Sequence, residues 1–192
     1  MENDKSRFKD FVVRMVSAFE ESDIKYAIIG AVAGLYYGLG RTTRDVDTLT
    51  LVKREAKAAT IHHKLGEHHF SVPPKSAFIE DLLHQTPLRC EDTETEFHID
   101  LFGVIDEIER EIIENRKKKH FYCHKVWISP LEPLIILKLR AGRPQDISDV
   151  TELILSNQQS LQWKHLRTLA ERNNVHEDLD ILVEELPTSR KG

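Results

Sequence analysis

The apolar positions in the first half of the chain switch between helical spacing and short continuous runs, a pattern that predicts helices interleaved with strands. Apolar side chains recur every three or four residues over 5–21, which indicates an amphipathic helix. A short apolar run ends in glycine at 26–30, and a run with β-branched residues covers 45–52; both predict buried strands. The small residues of 31–40 and the good helix formers of 53–65 predict helices.

The middle of the chain is less regular, and its end is helical. A short helix at 77–83 precedes two predicted strands, 88–92 and 94–102, which flank a polar tip as in a β-hairpin. The stretch 104–119 predicts a helix that is acidic early and basic late, and 124–129 predicts another strand. From residue 130 the pattern is helical, in four segments (130–142, 144–157, 161–172 and 176–186). We therefore expect an α/β core over 1–129 followed by a helical region over 130–192.

Composition narrows the class of protein. The 192 residues are 40% hydrophobic, enough for a substantial core, and the N-terminus is charged, unlike a signal peptide. No uncharged stretch reaches the ~20 residues of a membrane span. The formal charge of -5 excludes a strongly basic protein that wraps nucleic acid around its surface, although a local basic patch could still contact phosphate. Cys90 and Cys123 are too few for a disulfide scaffold, so we expect reduced thiols in a soluble, cytoplasmic protein without membrane contact.

Three aspartates carry the main candidate chemistry. Asp45 and Asp47 are two residues apart in a predicted strand, so both side chains lie on one face. Because two carboxylates this close repel each other, the pair favours a compensating cation, and Mg²⁺ binds carboxylate oxygens together with substrate phosphates. Asp100, on a separate predicted strand, is the candidate third carboxylate. Three such groups on adjacent strands could hold two metals ~3.5–4 Å apart.

A candidate phosphate site lies next to this pair in sequence. Gly30 and Ala31 join the first predicted strand to the next helix. A glycine lets the backbone approach a phosphate, and a helix N-terminus supplies free N–H donors. Arg41 and Arg44 precede the D-x-D motif and are candidates either for phosphate contacts or for pairing with surface acids.

The order of these motifs resembles a known family. The stretch IGAVAGLYYGLGRTTRDVDTL looks like the nucleotidyltransferase signature of the polymerase-β-like superfamily, in which a glycine and a following Gly or Ser precede D-x-D or D-x-E by roughly ten residues. The third carboxylate of that family matches Asp100 in HIDLF. The segment PLEPLIILKLRAGRPQDISDVTEL is similar to the C-terminal motif of bacterial AbiEii-type and related small nucleotidyltransferases, whose nucleotide-proximal lysine and aspartate match Lys138 and Asp146.

The resemblance implies a polymerase-β-like nucleotidyltransferase fold, with a short mixed sheet flanked by helices and a C-terminal helical tail. It also implies an enzyme that uses Mg²⁺ or Mn²⁺ to move an NMP from an NTP, such as ATP, to a hydroxyl of a tRNA end, a protein or a small molecule. A toxin–antitoxin role would add a cognate antitoxin as partner. The implied catalytic and metal-binding residues are Asp45, Asp47 and Asp100, and the implied substrate-binding residues are Gly30, Ala31, Arg44, Lys138 and Asp146.

Other interpretations stay open at this point. Ala31 stands where the core enzymes carry Gly or Ser, which favours a non-catalytic nucleotide- or partner-binding module; the intact aspartate set favours an enzyme. Lys138 lies in an apolar run and would also suit a packing role with a buried stem, and Asp146 suits the first turn of a helix. The histidine pairs at 62–63 and 68–69, and the basic run 116–119 at a helix end, are expected on the surface.

Overall fold

The computed structural model describes residues 2–121 and 124–186, and these form seven strands and nine helices. In chain order the elements are α1 (Glu2–Glu21), β1 (Lys25–Ile28), α2 (Gly30–Leu35), β2 (Asp45–Leu51), α3 (Glu55–Glu67), β3 (Phe70–Ser71), α4 (Lys75–Leu83), β4 (Leu88–Asp92), β5 (His98–Gly103), α5 (Glu107–Asn115), β6 (Lys117–Phe121), β7 (His124–Ile128), α6 (Leu131–Ala141), α7 (Pro144–Asn157), α8 (Trp163–Arg172) and α9 (His176–Glu185). Among these residues no helix has the length and apolar character needed to cross a membrane.

The strands form one mixed sheet in the order β3-β4-β5-β2-β1-β7-β6. Its centre combines both pairing types, since β2 runs parallel to β5 and antiparallel to β1. The outer pairs β3–β4, β4–β5 and β6–β7 are antiparallel, and β1 pairs with β7 in parallel. The predicted α/β fold with a mixed sheet and C-terminal helices is confirmed.

Two buried threonines fix the register of the central strand pair. Thr48 and Thr50 are 0% and 2% exposed, and each hydroxyl donates a hydrogen bond to a β5 carbonyl, those of Asp100 and Phe102, at 3.3 Å. Because side chains alternate between the faces of a strand, a slip of one residue would move Asp100 to the opposite face. These bonds therefore help to decide which β5 side chains stand beside the D-x-D motif.

One large hydrophobic core joins the sheet to the helices at both ends of the chain. It runs from Phe11 in α1, across the sheet, to Leu182 in α9. Helix α6 lies within it, with Leu134, Ile135 and Ile136 all 0% exposed. A smaller cluster, containing Leu49 and the α5 residues Ile112 and Ile113, fills the other face of the sheet.

Three stretches differ from the elements that the sequence predicts. The helix expected at 31–40 ends at Leu35, and the chain then passes through Gly38 in the left-handed region at φ +92°. The helix expected at 104–119 ends at Asn115, because its apolar side chains stop at Ile113; Lys117–Phe121 is instead the edge strand of the sheet. The strand Phe70–Ser71 was not predicted, since two residues are too few for an alternating pattern to appear.

The cysteine prediction concerns one residue inside the described chain and one outside it. Cys90 is free and 0% exposed, and burial raises the pKa of its thiol to about 12. It therefore stays protonated at physiological pH, as expected of a reduced structural thiol. Cys123 lies outside the described residues.

Candidate active site

The N-terminal halves of β2 and β5 bring three potential metal ligands together. Asp45 stands opposite His98, and Asp47 stands opposite Asp100, in the parallel register of the two strands. Asp45, His98 and Asp100 each offer one ligand atom, and these atoms lie within 4.8 Å of one another. That separation suits a shared cation, whose oxygen ligands lie at ~2.0–2.6 Å. The Nε2 atom of His98 is buried and has no hydrogen-bond partner among the described residues.

Asp47 lies next to these ligands and packs against Gly30. A Cβ on Gly30 would lie 1.9 Å from the Oδ2 atom of Asp47, and Gly30 has a left-handed φ of +61°. Glycine is therefore required here both by the space and by the backbone conformation. Burial, and then the negative charges of Asp45 and Asp100, raise the pKa of Asp47 to about 6. Ala31 is 4% exposed, so it presents little side-chain surface to a ligand.

Both carboxylates of the metal-ligand group already have partners in the protein. Arg89, opposite Asp100 on β4, donates from Nε and Nη2 to the two oxygens of Asp100 at 2.8 and 3.0 Å. The hydroxyl of Thr43 donates to Oδ1 of Asp45. The Arg89 side chain is 56% exposed, so solvent can replace it at little cost. The guanidinium of Arg89 thus neutralises the carboxylate of Asp100, as a bound metal ion would.

A second charged group connects α6, α7 and the segment before β2. The ammonium of Lys138 lies 2.6 Å from Oδ2 of Asp149 and 3.5 Å from Oδ1 of Asp146, and all three residues are buried. Asp149 also accepts hydrogen bonds from Arg41 and Gln145. Burial alone would raise the pKa of Asp149, but the bonds from Arg41, Lys138 and Gln145 together hold it below its ordinary value.

This arrangement gives three of the residues singled out from the sequence charged partners within the protein. Lys138 is buried, its ammonium is bound by carboxylates, and it lines the cavity wall. Asp146 lies in the first turn of α7, as expected, and pairs there with the Nε atom of Arg143 at 2.5 Å. Arg41 pairs with Asp149, which is a buried acid and not one of the surface acids expected from the sequence.

One cavity of about 780 Å³ is lined by both charged groups. Its size falls within the usual ~300–1,000 Å³ of small-molecule sites. Gly30, Ala31 and the aspartates of β2 and β5 form one side, and Leu134, Leu137 and Lys138 of α6 form another. Arg44 and Arg143 reach the same cavity from exposed positions, so they can offer positive charge to an anionic ligand.

A family model described as nucleotidyl transferase of unknown function (DUF2204) matches residues 8–188. The chain belongs to this family. The predicted nucleotidyltransferase resemblance is therefore confirmed, and so is the prediction that the chain is an enzyme. A search of curated proteins finds no significant sequence match to this nucleotidyl transferase.

Solved structures agree with the fold of the nucleotidyl transferase. The solution structure of the antibiotic-resistance factor ANT(2'')-Ia superimposes with a TM-score of 0.58 at 14% identity, covering 93% of this chain and 98% of that one. The crystal structure of ANT(2'')-Ia with adenylyl-2''-tobramycin gives 0.58 at 14% identity, covering 89% and 99%. An antigenic nucleotidyltransferase-like protein from Paracoccidioides brasiliensis gives 0.52 at 17% identity, covering 92% of each chain. At these identities the likeness establishes the fold alone.

Sequence reasoning missed two residues of the nucleotidyl transferase's site. His98 precedes Asp100 by two residues, so the same strand period that pairs Asp45 with Asp47 also puts His98 and Asp100 on one face. Arg89 carries no such signal, because its position depends on the antiparallel register between β4 and β5.

Proposed function

We propose that the chain is a divalent-metal-dependent enzyme, with Mg²⁺ or Mn²⁺, that transfers an NMP from an NTP to a hydroxyl of an acceptor. The observation that carries this proposal is the register of β2 and β5, which sets Asp47 beside Asp100 and Asp45 beside His98 at the wall of the cavity. Carboxylates on adjacent strands, facing a space large enough for a nucleotide, are the arrangement that in-line nucleotidyl displacement requires.

The side chains present fit such an ion. Asp45 and Asp100 supply the hard oxygen ligands that Mg²⁺ and Mn²⁺ prefer, and the buried Nε2 of His98, which is 3.6 Å from Oδ2 of Asp100, lies within reach of the same position. Burial, and then the charges of Asp45 and Asp100, raise the pKa of Asp47, so a nearby cation would stabilise its charged form. When bound, the metal would neutralise phosphate charge and acidify the attacking hydroxyl.

The chain's own residues orient the reactants. Gly30, which has no side chain, leaves room for the carboxylate of Asp47 at the cavity wall, and Arg44 and Arg143 offer positive charge to the triphosphate. Asp100 accepts the proton of the attacking hydroxyl as the new oxygen–phosphorus bond forms. The bond from the α-phosphorus to pyrophosphate breaks in the same displacement, and pyrophosphate leaves. Most of the rate comes from this positioning and from charge neutralisation.

The test uses Asp47→Asn, which removes the charge and keeps the shape of the side chain. The protein is incubated with each α-labelled NTP, Mg²⁺ or Mn²⁺, and either total RNA, a protein lysate or an aminoglycoside as acceptor. We expect label to enter one acceptor class with the wild-type protein, and the rate to fall at least ~10³-fold in the variant, the equivalent of about 4 kcal/mol. The exposed Asp10→Asn is the matched control and should transfer at the wild-type rate. Equal rates for Asp47→Asn and wild type would contradict the assignment.

The match to a nucleotidyl transferase family counts against the non-catalytic nucleotide- or partner-binding module that the sequence left open. Such a module would bind an NTP in titration calorimetry without transfer to any of the three acceptor classes. A role as the toxin of a toxin–antitoxin pair requires, in addition, a co-purifying antitoxin that suppresses transfer.

A further inference from the structure

The edge strand β6 and its neighbours carry a block of positive charge that the proposed reaction does not use. We call Arg116, Lys117, Lys118, Lys119 and Lys125 the basic edge. Asp and Glu make up 32 of the 192 residues and give the chain its net charge of -5, yet none occurs from 115 to 131. This part of the surface therefore has a charge opposite to that of the chain as a whole.

The charges of the basic edge are available to a partner. Its four lysines are exposed, and in the described part of the chain none of its five residues lies within 4.0 Å of a carboxylate. Arg116 and Lys118 lie over the ring of Trp127, at 4.5 and 5.1 Å from its centroid, and Arg116 also donates a hydrogen bond to the carbonyl of Ile113. Other cations, such as Lys57 and Lys64, are paired with acids.

Protection of an open sheet edge explains only part of this charge. Lysines on an edge strand discourage pairing with another chain, which accounts for Lys117, Lys118 and Lys119. Lys125 lies on β7, the strand next to the edge strand, where it pairs with His120. Arg116 precedes β6. The positive surface therefore extends beyond the strand that needs protection.

The strand registers connect the basic edge to the candidate site. Lys117 pairs with Ile128, Ile128 with Ile28, and Ile28 with Thr48, which directly follows Asp47. Because side chains alternate between the faces of a strand, Lys118 lies on the Asp47 face of the sheet and Lys117 on the Thr48 face, both three strands away from the D-x-D strand. At ~4.8 Å per strand this is about 14 Å. A nucleic-acid strand that rises ~3.4 Å per nucleotide would cover that distance in about four nucleotides.

We infer that the basic edge binds the phosphate backbone of a nucleic-acid chain. Phosphate fits because the cations follow the sheet edge on both of its faces without a carboxylate between them, and a polyanion with one charge per nucleotide neutralises several at once. The further step, that this nucleic acid is the acceptor whose end reaches the cavity, rests on the proposed function. The binding itself does not, since it needs neither metal nor NTP.

The experiment measures fluorescence anisotropy of labelled 30-nucleotide single-stranded RNA and DNA over 50–300 mM salt, with EDTA and without NTP. Five contacts predict a slope of log affinity against log salt of about -3.5, at ~0.7 per contact. The variant K117Q/K119Q/K125Q, which spares both contacts of Trp127, should bind about 100-fold more weakly at 0.1 M salt, with a slope of about -1.4. Its matched control is K53Q/K75Q/K164Q, which removes three exposed lysines elsewhere and should bind like wild type.

The outcomes separate this inference from the proposed function. Wild-type affinity and slope in K117Q/K119Q/K125Q, or an equal loss in the control, would overturn it. Binding of an acidic peptide of the same charge in preference to both nucleic acids would also overturn it. The single variant Lys119→Gln, expected to reduce the slope by ~0.7, provides the test if the triple variant elutes as aggregate. Asp47→Asn should bind RNA like wild type, so loss of transfer with retained binding would count against the reaction and not against the basic edge.

Discussion

Asp47 holds its carboxylate against Gly30, where burial and the neighbouring Asp45 and Asp100 raise its pKa to about 6. An aspartate in the unfolded chain titrates near 3.9. Between these values the folded state binds more protons than the unfolded state, so this group lowers the free energy of unfolding as pH rises from about 4 to about 6. Above pH 6, without metal, the ionised Asp47 lowers the free energy of unfolding by at most about 3 kcal/mol.

Asp47→Asn should therefore stabilise the metal-free protein at pH 7.5, by up to about 3 kcal/mol, and leave its stability near pH 4 almost unchanged. Urea unfolding in EDTA at the two pH values measures the difference. Asp10→Asn, at an exposed position of α1, should change the free energy of unfolding by less than about 0.5 kcal/mol at both. A gain of the same size at pH 4 and pH 7.5 would show that the carboxylate is not held at a raised pKa.

Arg89 reduces the negative charge of the site, because its guanidinium neutralises Asp100. Arg89→Gln should let Mn²⁺ bind about fivefold more tightly, the equivalent of about 1 kcal/mol for a partly exposed ion pair. Titration calorimetry with Mn²⁺ measures this, and Arg140→Gln, whose partner is Asp106, serves as control. Weaker binding in Arg89→Gln would show that the arginine orients Asp100 for the ion and does not compete with it.

At the scale of elements, the buried group around Lys138 joins α6 to α7. Removing one member of a buried ion pair leaves a charge without its partner and typically costs ~3–5 kcal/mol. Because Arg41 and Gln145 still reach Asp149, we expect Lys138→Met to lower the free energy of unfolding by about 3 kcal/mol. Arg140→Met removes an exposed charge from the same helix and should cost less than about 1 kcal/mol. Similar losses in both variants, measured by urea unfolding, would contradict a special role for Lys138.

The elements that the sequence predicts correctly are those whose own residues determine them. Helices α1 and α7 repeat apolar side chains at helical spacing, and β2 is a short run of apolar and β-branched residues, so the local pattern is sufficient. Strand β6 is defined by its pairing with β7, and three consecutive lysines carry no period that could indicate it.

The residues of the site also differ in whether the local sequence pattern is enough to predict them. The two-residue spacing of Asp45 and Asp47 can be read directly from the chain, and so can that of His98 and Asp100. The pairing of Asp47 with Asp100, and of Arg89 with Asp100, depends on strand registers that no local pattern contains. The partners of Lys138 likewise depend on how two helices pack.

For the whole molecule, the single core that spans α1 to α9 predicts one cooperative unfolding transition. A fragment of residues 1–129 should not fold, because it lacks α6, in which eight of eleven residues are buried. Thermal melts followed by near- and far-ultraviolet circular dichroism should coincide for the full chain, and the fragment should show no transition. A cooperative melt of the fragment would establish an autonomous N-terminal domain.

The parallel pairing of β2 with β5 has a consequence for synthesis on the ribosome. The D-x-D strand emerges early, but its partner Asp100 follows more than 50 residues later, and Ile28 pairs with a residue 100 positions further on. Contacts between such distant segments form slowly, because the intervening loop must close first. A chain interrupted between Asp100 and Ile128 therefore has all three aspartates but no ordered site, so this truncated product is expected to be inactive.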